Sequence, residues 1–294
     1  MGWAQGFIAV DWGTTNRRAY MVDGGGACGA EFEDGKGVLS VAAGGFPAAV
    51  AEIRDRLGDY PLLMAGMVGS NRGWVEAPYV RCPGGLDDLA AGLVWAEAGR
   101  AAIVPGVAFQ ADGRADVMRG EEVQVLGAAA AGDIPPDCLV CHPGTHNKWI
   151  ALSGGRIAEF RTVMTGELFN LLKDKSILSD LLTDEVTPGE AFVRGVRRGL
   201  SGAVLGAELF AVRAGVLLGE IAREDAGDLT SGLLIGADLR AGLEGSGGDV
   251  IVMGRPELTA LYAAALGEAG RGAREIDGER AFLSGIAAIV ERIA

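Results

Sequence analysis

Two segments of this chain set a glycine and hydrogen-bonding side chains in a short turn between apolar runs. The first is Asp11-Trp12-Gly13-Thr14-Thr15-Asn16, directly after apolar residues 7–10. Gly13 with Thr14, Thr15 and Asn16 in a strand-to-strand turn can wrap a phosphate with backbone N–H groups and side-chain donors. Asp11 ends the strand and suits Mg2+ held through water, because Mg2+ keeps several waters and takes one or two carboxylates. An ordinary hairpin with an Asx turn would use the same residue types. The second segment is His142-Pro143-Gly144-Thr145-His146-Asn147-Lys148-Trp149, again strand, Gly-Thr turn, strand. Gly144 and Thr145 match Gly13 and Thr14. His146 and Lys148 supply positive or donor groups, or else pack the turn and solvate a strand end. Two such turns, in matching places of two halves, would hold a triphosphate from both sides of a cleft.

Acid–base chemistry has one strong candidate. Met118-Arg119-Gly120-Glu121-Glu122 opens a helical pattern. A carboxylate in that first turn can take the proton of a substrate hydroxyl. Glu121 is the first choice and Glu122 the second, although both also suit the positive end of a helix. The run from Gly66 to Trp74, continuing to Pro78-Tyr79-Val80, carries Ser70, Asn71, Arg72 and Trp74. Amide and hydroxyl suit sugar hydroxyls, guanidinium suits a carboxylate, and indole suits a sugar face. Arg119 and Arg161 join this substrate set. Arg161 equally suits a brace between two halves. Cys138-Leu139-Val140-Cys141-His142 has the spacing of a haem c attachment. It reads better as a buried strand, and no second cysteine pair completes a zinc site.

The elements that must place these residues alternate regularly. Strands are expected at 7–10, 18–22 and 28–33, a helix at 48–57, a strand at 61–64, a helix at 86–99, a strand at 101–104 and a helix at 121–131. Loop residues are expected to run up to Met118. The pattern restarts after Asp133-Ile134-Pro135-Pro136, with strands at 138–142, 148–152 and 156–163. Helices dominate 166–245. A strand at 250–253, a helix from Pro256, a strand at 274–276 and a final amphipathic helix follow. A strand hairpin followed by helix–strand alternation thus occurs twice. This predicts two domains, 1–133 and 134–294, with the last helix packing at a hinge.

Composition narrows the classes. At about 150 residues per domain, 294 residues allow two domains. The net charge of −13 argues against a general nucleic-acid binder. No run of 18 apolar residues predicts a membrane span, and no signal peptide is evident, so the cytoplasm is the expected location. Glycine is abundant, 48 of 294, which demands many tight turns or close backbone approaches. The sequence leaves room for a homo-oligomer without specifying one.

Six ordered blocks then carry a family resemblance: DWGTTN, AGMVGSNRGW with APY, VMRGEE with QVLGA, PGTHNKW, FRTVMTGEL and SGLLIGA. Together they resemble the 2-keto-3-deoxygalactonokinase family, of the actin/hexokinase/Hsp70-like superfamily. The resemblance implies an α/β, two-domain, actin-like (ribonuclease H-like) sugar kinase fold with a central cleft. It implies ATP and Mg2+ as cofactors, and 2-dehydro-3-deoxy-D-galactonate as the acceptor, phosphorylated on its 6-hydroxyl. Residues 11–16 and 144–146 would be the two phosphate segments, and residues 232–238 and 279–293 the connecting helices. The adenosine segment departs from the family pattern. It keeps Gly254 and the following helix, but Arg255 and Pro256 replace small hydroxyl residues. A kinase for a related acid such as 2-keto-3-deoxygluconate, or a non-catalytic ATP or sugar sensor of the same fold, is the alternative. A chaperone-like ATPase would need a larger chain.

Overall fold

The computed structural model describes residues 2–111 and 113–293. The outer ends of the expected domains, Met1 and Ala294, and Asp112 in the expected loop lie outside them. The chain divides into two compact units. One comprises Met1–Asp137, Leu152–Glu159 and Gly278–Ala294, and the other Cys138–Ala151 and Phe160–Asp277. The division is therefore not a single cut at 133/134.

In the first unit, β1 (Gly6–Trp12), β2 (Arg17–Asp23) and β3 (Cys28–Asp34) form an antiparallel meander. Helix α1 (Phe46–Leu57) leads to β4 (Leu62–Gly66), parallel to β1. After β5 (Tyr79–Arg81) and α2 (Leu86–Ala91) come β6 (Val94–Glu97) and β7 (Ala101–Ile103). The expected helix over 86–99 is thus cut short at Ala91. Gly92 follows, and Val94-Trp95-Ala96-Glu97 pairs antiparallel with β7. The main sheet has the order β3-β2-β1-β4-β7-β6. Strands β8 (Gly106–Ala111) and β9 (Arg114–Met118) replace the expected loop and join β5 in a small sheet, β5-β8-β9. It leads directly into α3 (Glu121–Ala130). Val50, Ile53 and Leu57 of α1 pack on Ile8, Val10, Leu62 and Met64 in one core.

The second unit repeats the plan. Strands β10 (Cys138–His142), β11 (Asn147–Ser153) and β12 (Arg156–Val163) are followed by α4 (Thr165–Lys175), α5 (Glu190–Leu200), α6 (Leu205–Leu217) and α7 (Ala226–Gly242). Then come β13 (Val250–Gly254), α8 (Pro256–Glu268) and β14 (Ala273–Asp277). The order β12-β11-β10-β13-β14 matches β3-β2-β1-β4-β7 of the first sheet. Helix α9 (Gly278–Val290) returns to the first unit and packs on α3.

Close helix packing accounts for part of the glycine excess. A Cβ on Gly195 or Gly199 of α5 would lie 2.3 or 2.4 Å from backbone oxygens of α7. On Gly232 or Gly236 of α7 it would lie 2.1 or 2.3 Å from those of α5. Gly127 and Gly285 do the same for α3 and α9. Backbone approaches this tight exclude any side chain.

Candidate functional site

In the first unit the C-terminal ends of β1 and β4 meet the N-terminus of α3. Gly66, at the end of β4, has φ +92, and a Cβ there would sit 2.9 Å from the Trp12 carbonyl oxygen and 3.6 Å from Asp11 Oδ1. A Cβ on Gly120 would sit 3.4 Å from Gly66 Cα. The glycines let Asp11 and the two glutamates of α3 approach one junction. Asp11 Oδ2 accepts a hydrogen bond from Arg18 Nη2 at 2.7 Å, and both groups remain partly exposed. Arg18, which the sequence reading did not single out, holds that carboxylate in place.

The Gly13–Asn16 turn presents its donors outward for a definable reason. Gly13 N–H donates to Asn16 O at 2.9 Å and closes the turn. The carbonyls of Gly13, Thr14 and Thr15 accept from Val38, Leu39 and Gly37 N–H groups. A Cβ on Gly37 would collide with Thr14 and Thr15 at 2.4 Å. With the carbonyls occupied, the N–H groups of Thr14 and Thr15 have no protein partner among the described residues. Both threonines are exposed, and Asn16 Nδ2 reaches Glu33 Oε1 at 3.3 Å. Below the turn, Arg17 is fully buried, forked onto Asp34 at 3.2 and 2.8 Å and stacked over Trp12.

The two glutamates have different surroundings. Glu122 is fully buried, and both its oxygens accept from Gly120 N–H, at 2.8 and 2.7 Å. Burial, and then the charge of Glu121, push its carboxyl up to about 8. Glu121 is only part-buried, and its Oε2 accepts from Arg119 N–H at 3.1 Å. Glu122 caps the helix from within, whereas Glu121 keeps an accessible carboxylate. Arg119 donates to Ala77 O at 2.8 Å and stacks over Tyr79, while its Nε and Nη1 are buried without a partner.

The 66–74 segment is an ordered, tightly wound loop. Trp74 N–H donates to Val68 O, and a Cβ on Gly73 would lie 2.0 Å from that same oxygen. Ser70 Oγ donates to Met67 O at 2.7 Å and accepts from Arg72 N–H, so the hydroxyl shapes the turn. Trp74 lies parallel to Phe46, ring centroids 6.4 Å apart, against the core. Trp74 stays half-buried, and the stack gives its indole a packing role on that side. Asn71 and Arg72 are exposed, and their side chains have no protein partner among the described residues.

In the second unit the Pro143–His146 turn is clamped by the start of α4. A Cβ on Gly166 would lie 2.5 Å from Gly144 O, and Glu167 N–H donates to Thr145 O at 2.9 Å. Glu167 Oε2 also lies 2.5 Å from His146 Nε2. Lys148 is buried, and its Nζ donates to Thr162 Oγ1 of β12 at 2.9 Å. Arg161 Nη1 donates to Ala241 O at 2.9 Å and pairs with Glu244 at 3.1 Å, so it braces β12 against α7. Gly144, Thr145, Thr165 and Gly166 line a cavity of about 260 Å³ with Phe169, Ser231, Leu258 and Tyr262. Gly254 stands beside Pro143, and Arg255 and Pro256 open α8.

Under this turn sits a residue the sequence reading did not single out for a role. Asp238 of α7 is buried and takes four hydrogen bonds. Trp149 Nε1 donates to Oδ1 at 2.7 Å. Asn147 Nδ2, Thr165 Oγ1 and Tyr262 OH donate to Oδ2 at 2.7, 2.7 and 2.5 Å. One carboxylate thus ties β11, α4 and α8 to α7. Its sequence signal was weak, one of two acids, with Asp228, in a mostly apolar helix.

Two α/β units of matching strand order, each with a Gly-Thr turn after its first strand, define the two-domain actin-like fold class. A Clostridium difficile activator of 2-hydroxyisocaproyl-CoA dehydratase with bound ADPNP shares the fold at TM-score 0.51 and 13% identity, covering 98% of this chain and 95% of that one. The chain belongs to the 2-keto-3-deoxy-galactonokinase family, whose model matches residues 11–289. The Escherichia coli (strain K12) 2-dehydro-3-deoxygalactonokinase is 37% identical over 300 residues, covering 98% of each chain. A solved Sinorhizobium meliloti protein, described as a candidate 2-dehydro-3-deoxygalactonokinase, is 35% identical with TM-score 0.92, covering 98% of this chain and 99% of that one. No helix of the described residues is long and apolar enough to cross a membrane.

Proposed function

We propose that this chain is a cytoplasmic kinase that transfers the γ-phosphoryl group of ATP to the 6-hydroxyl of 2-dehydro-3-deoxy-D-galactonate. The product is 2-dehydro-3-deoxy-6-phosphogalactonate, a step of galactonate breakdown. The observation that carries this reading is the 37% identity, over 98% of each chain, to an enzyme of that name.

The residues present fit a nucleotide and a metal. The free N–H groups of Thr14 and Thr15 suit phosphate oxygens, as does the Gly144-Thr145 turn beside the 260 Å³ cavity. Asp11 is partly exposed and suits Mg2+ through water, with Arg18 as its present partner. When bound, Mg2+ neutralises charge on the phosphates. Glu121 accepts the proton of the attacking hydroxyl, because its carboxylate is accessible where that of Glu122 is sealed. Arg72, with Asn71, binds the sugar acid carboxylate and hydroxyls, and Arg119 contributes the two buried guanidinium nitrogens that lack a partner. Catalysis is then mostly positioning and charge stabilisation.

The test is ATP consumption by the purified chain with a panel of 2-keto-3-deoxy sugar acids. The reading expects 2-dehydro-3-deoxy-D-galactonate to give the highest kcat/KM. A faster 2-keto-3-deoxygluconate would reassign the substrate, and a flat panel would leave a sensor rather than a kinase.

A further inference from the structure

The second unit carries an open groove of about 690 Å³ away from the phosphate turn, lined by Arg161, Arg240, Arg271 and Glu244 over Leu200, Leu243 and Ala269. Three guanidinium groups against one carboxylate is an unusual balance in a chain of net charge −13. Neighbouring groups account for only part of it. Arg161 serves Ala241 O and Glu244. Arg271 serves the carbonyls of Gly248 and Ser246 through Nε and Nη1, but its Nη2 is buried without a partner. Arg240 is exposed and has neither an ion pair nor a hydrogen bond from its side chain among the described residues. Glu268, in the last turn of α8, is taken by Arg197 at 2.6 Å.

The groove is remote from the nucleotide segments within its own unit. Helix α8 starts beside Gly254 and runs 13 residues before Ala269 and Arg271. At about 1.5 Å per residue it separates the two ends by about 20 Å.

We infer that this groove is a second anion site, taking a small phosphate monoester. Forked guanidinium donors match the oxygens of a phosphate. The buried Nη2 of Arg271 gains the acceptor it lacks, and the wall of Leu200, Leu243 and Ala269 suits a short carbon body. The inference does not rest on the catalytic reading, since none of these residues lies in the proposed machinery, and Arg161 braces β12 against α7.

Isothermal titration tests it, with inorganic phosphate and glycerol 3-phosphate as probes at constant ionic strength. The protein is saturated with ADP so that the phosphate turns are occupied. The expected result is one site, tighter for glycerol 3-phosphate, weakened about tenfold in Arg240→Gln through loss of a charge-assisted contact. Arg240→Glu should abolish it. Neither substitution touches a buried partner, so folding and basal turnover should stay unchanged. Thr145→Val should leave the site intact. Equal binding by Arg240→Gln, loss in Thr145→Val, or no heat from either probe would each overturn the inference.

Discussion

Gly120 donates its backbone N–H to both carboxylate oxygens of Glu122, at 2.8 and 2.7 Å, in a fully buried position. The adjacent Glu121 turns its carboxylate only as far as the Arg119 N–H. Two neighbouring acids of the same type are thereby given different tasks. One completes the helix start from inside and the other keeps a face open to a ligand. Environment makes the separation, as it does wherever paired carboxylates divide acid–base roles.

The open carboxylate should carry the chemistry. Glu121→Gln should lower kcat by roughly 10²–10⁴ while nucleotide and sugar acid still bind. Steady-state kinetics with calorimetric binding of both ligands checks this. A fall in KM-type binding without loss of kcat would remove Glu121 from the base role.

The sealed carboxylate should show itself in stability. Glu122 is raised to about 8 in the folded protein, so the native state holds its proton more tightly than the unfolded chain does. The stability linked to that proton is complete below the unfolded carboxyl range and is lost as pH rises toward about 8. Glu122→Gln keeps an acceptor for Gly120 and cannot ionise. Its stability relative to the native chain should therefore improve between pH 5 and pH 8, by on the order of 2–4 kcal/mol at the upper end. Urea titrations across that range decide it, and a pH-independent difference would contradict it.

Arg72 should matter for substrate and not for folding. It is exposed and has no protein partner among the described residues. Arg72→Ala should raise KM for the sugar acid by about tenfold or more, as expected for loss of a charged contact, with Tm unchanged. Trp74→Ala should do the reverse, lowering Tm through the lost stack on Phe46.

Asp238 should be intolerant of even a conservative change. Asp238→Asn sets an amide N–H₂ against donors now aimed at a carboxylate, three of them on Oδ2. Leaving buried donors unsatisfied should cost about 1–3 kcal/mol for each. Because Asn147 and Thr165 flank the phosphate turn, KM for ATP should also rise. Chemical denaturation together with ATP kinetics measures both effects.

Much of the strand plan was legible because its apolar runs are short, bounded by Gly turns and repeated in order. The helix expected over 86–99 failed because apolar residues at Leu93, Val94 and Trp95 fit either period. Only pairing of Val94 and Trp95 with Ile103 and Ala102 decides for a strand. The small sheet of β5, β8 and β9 was hidden because alternation along β9 points the wrong way: Arg114 and Asp116 sit on its half-buried face, and Ala115 and Val117 face solvent. At the site, Gly13, Thr14 and Thr15 could be read from a local turn pattern. Arg17, Gly37 and Asp238 could not, because their partners lie 17 to 91 residues away or, for Gly37, in a separate turn. Trp74, Lys148 and Arg161 had suitable chemistry, but each also has a packing or hydrogen-bonding partner inside its own unit that a local pattern does not show.

The most direct measurement is phosphorus and carbon NMR of the product made by the purified chain from ATP and 2-dehydro-3-deoxy-D-galactonate. The expected product is a phosphate monoester on C6, formed by the native chain and almost absent with Glu121→Gln. Free phosphate and ADP as the only products, or an ester at another carbon, would contradict it.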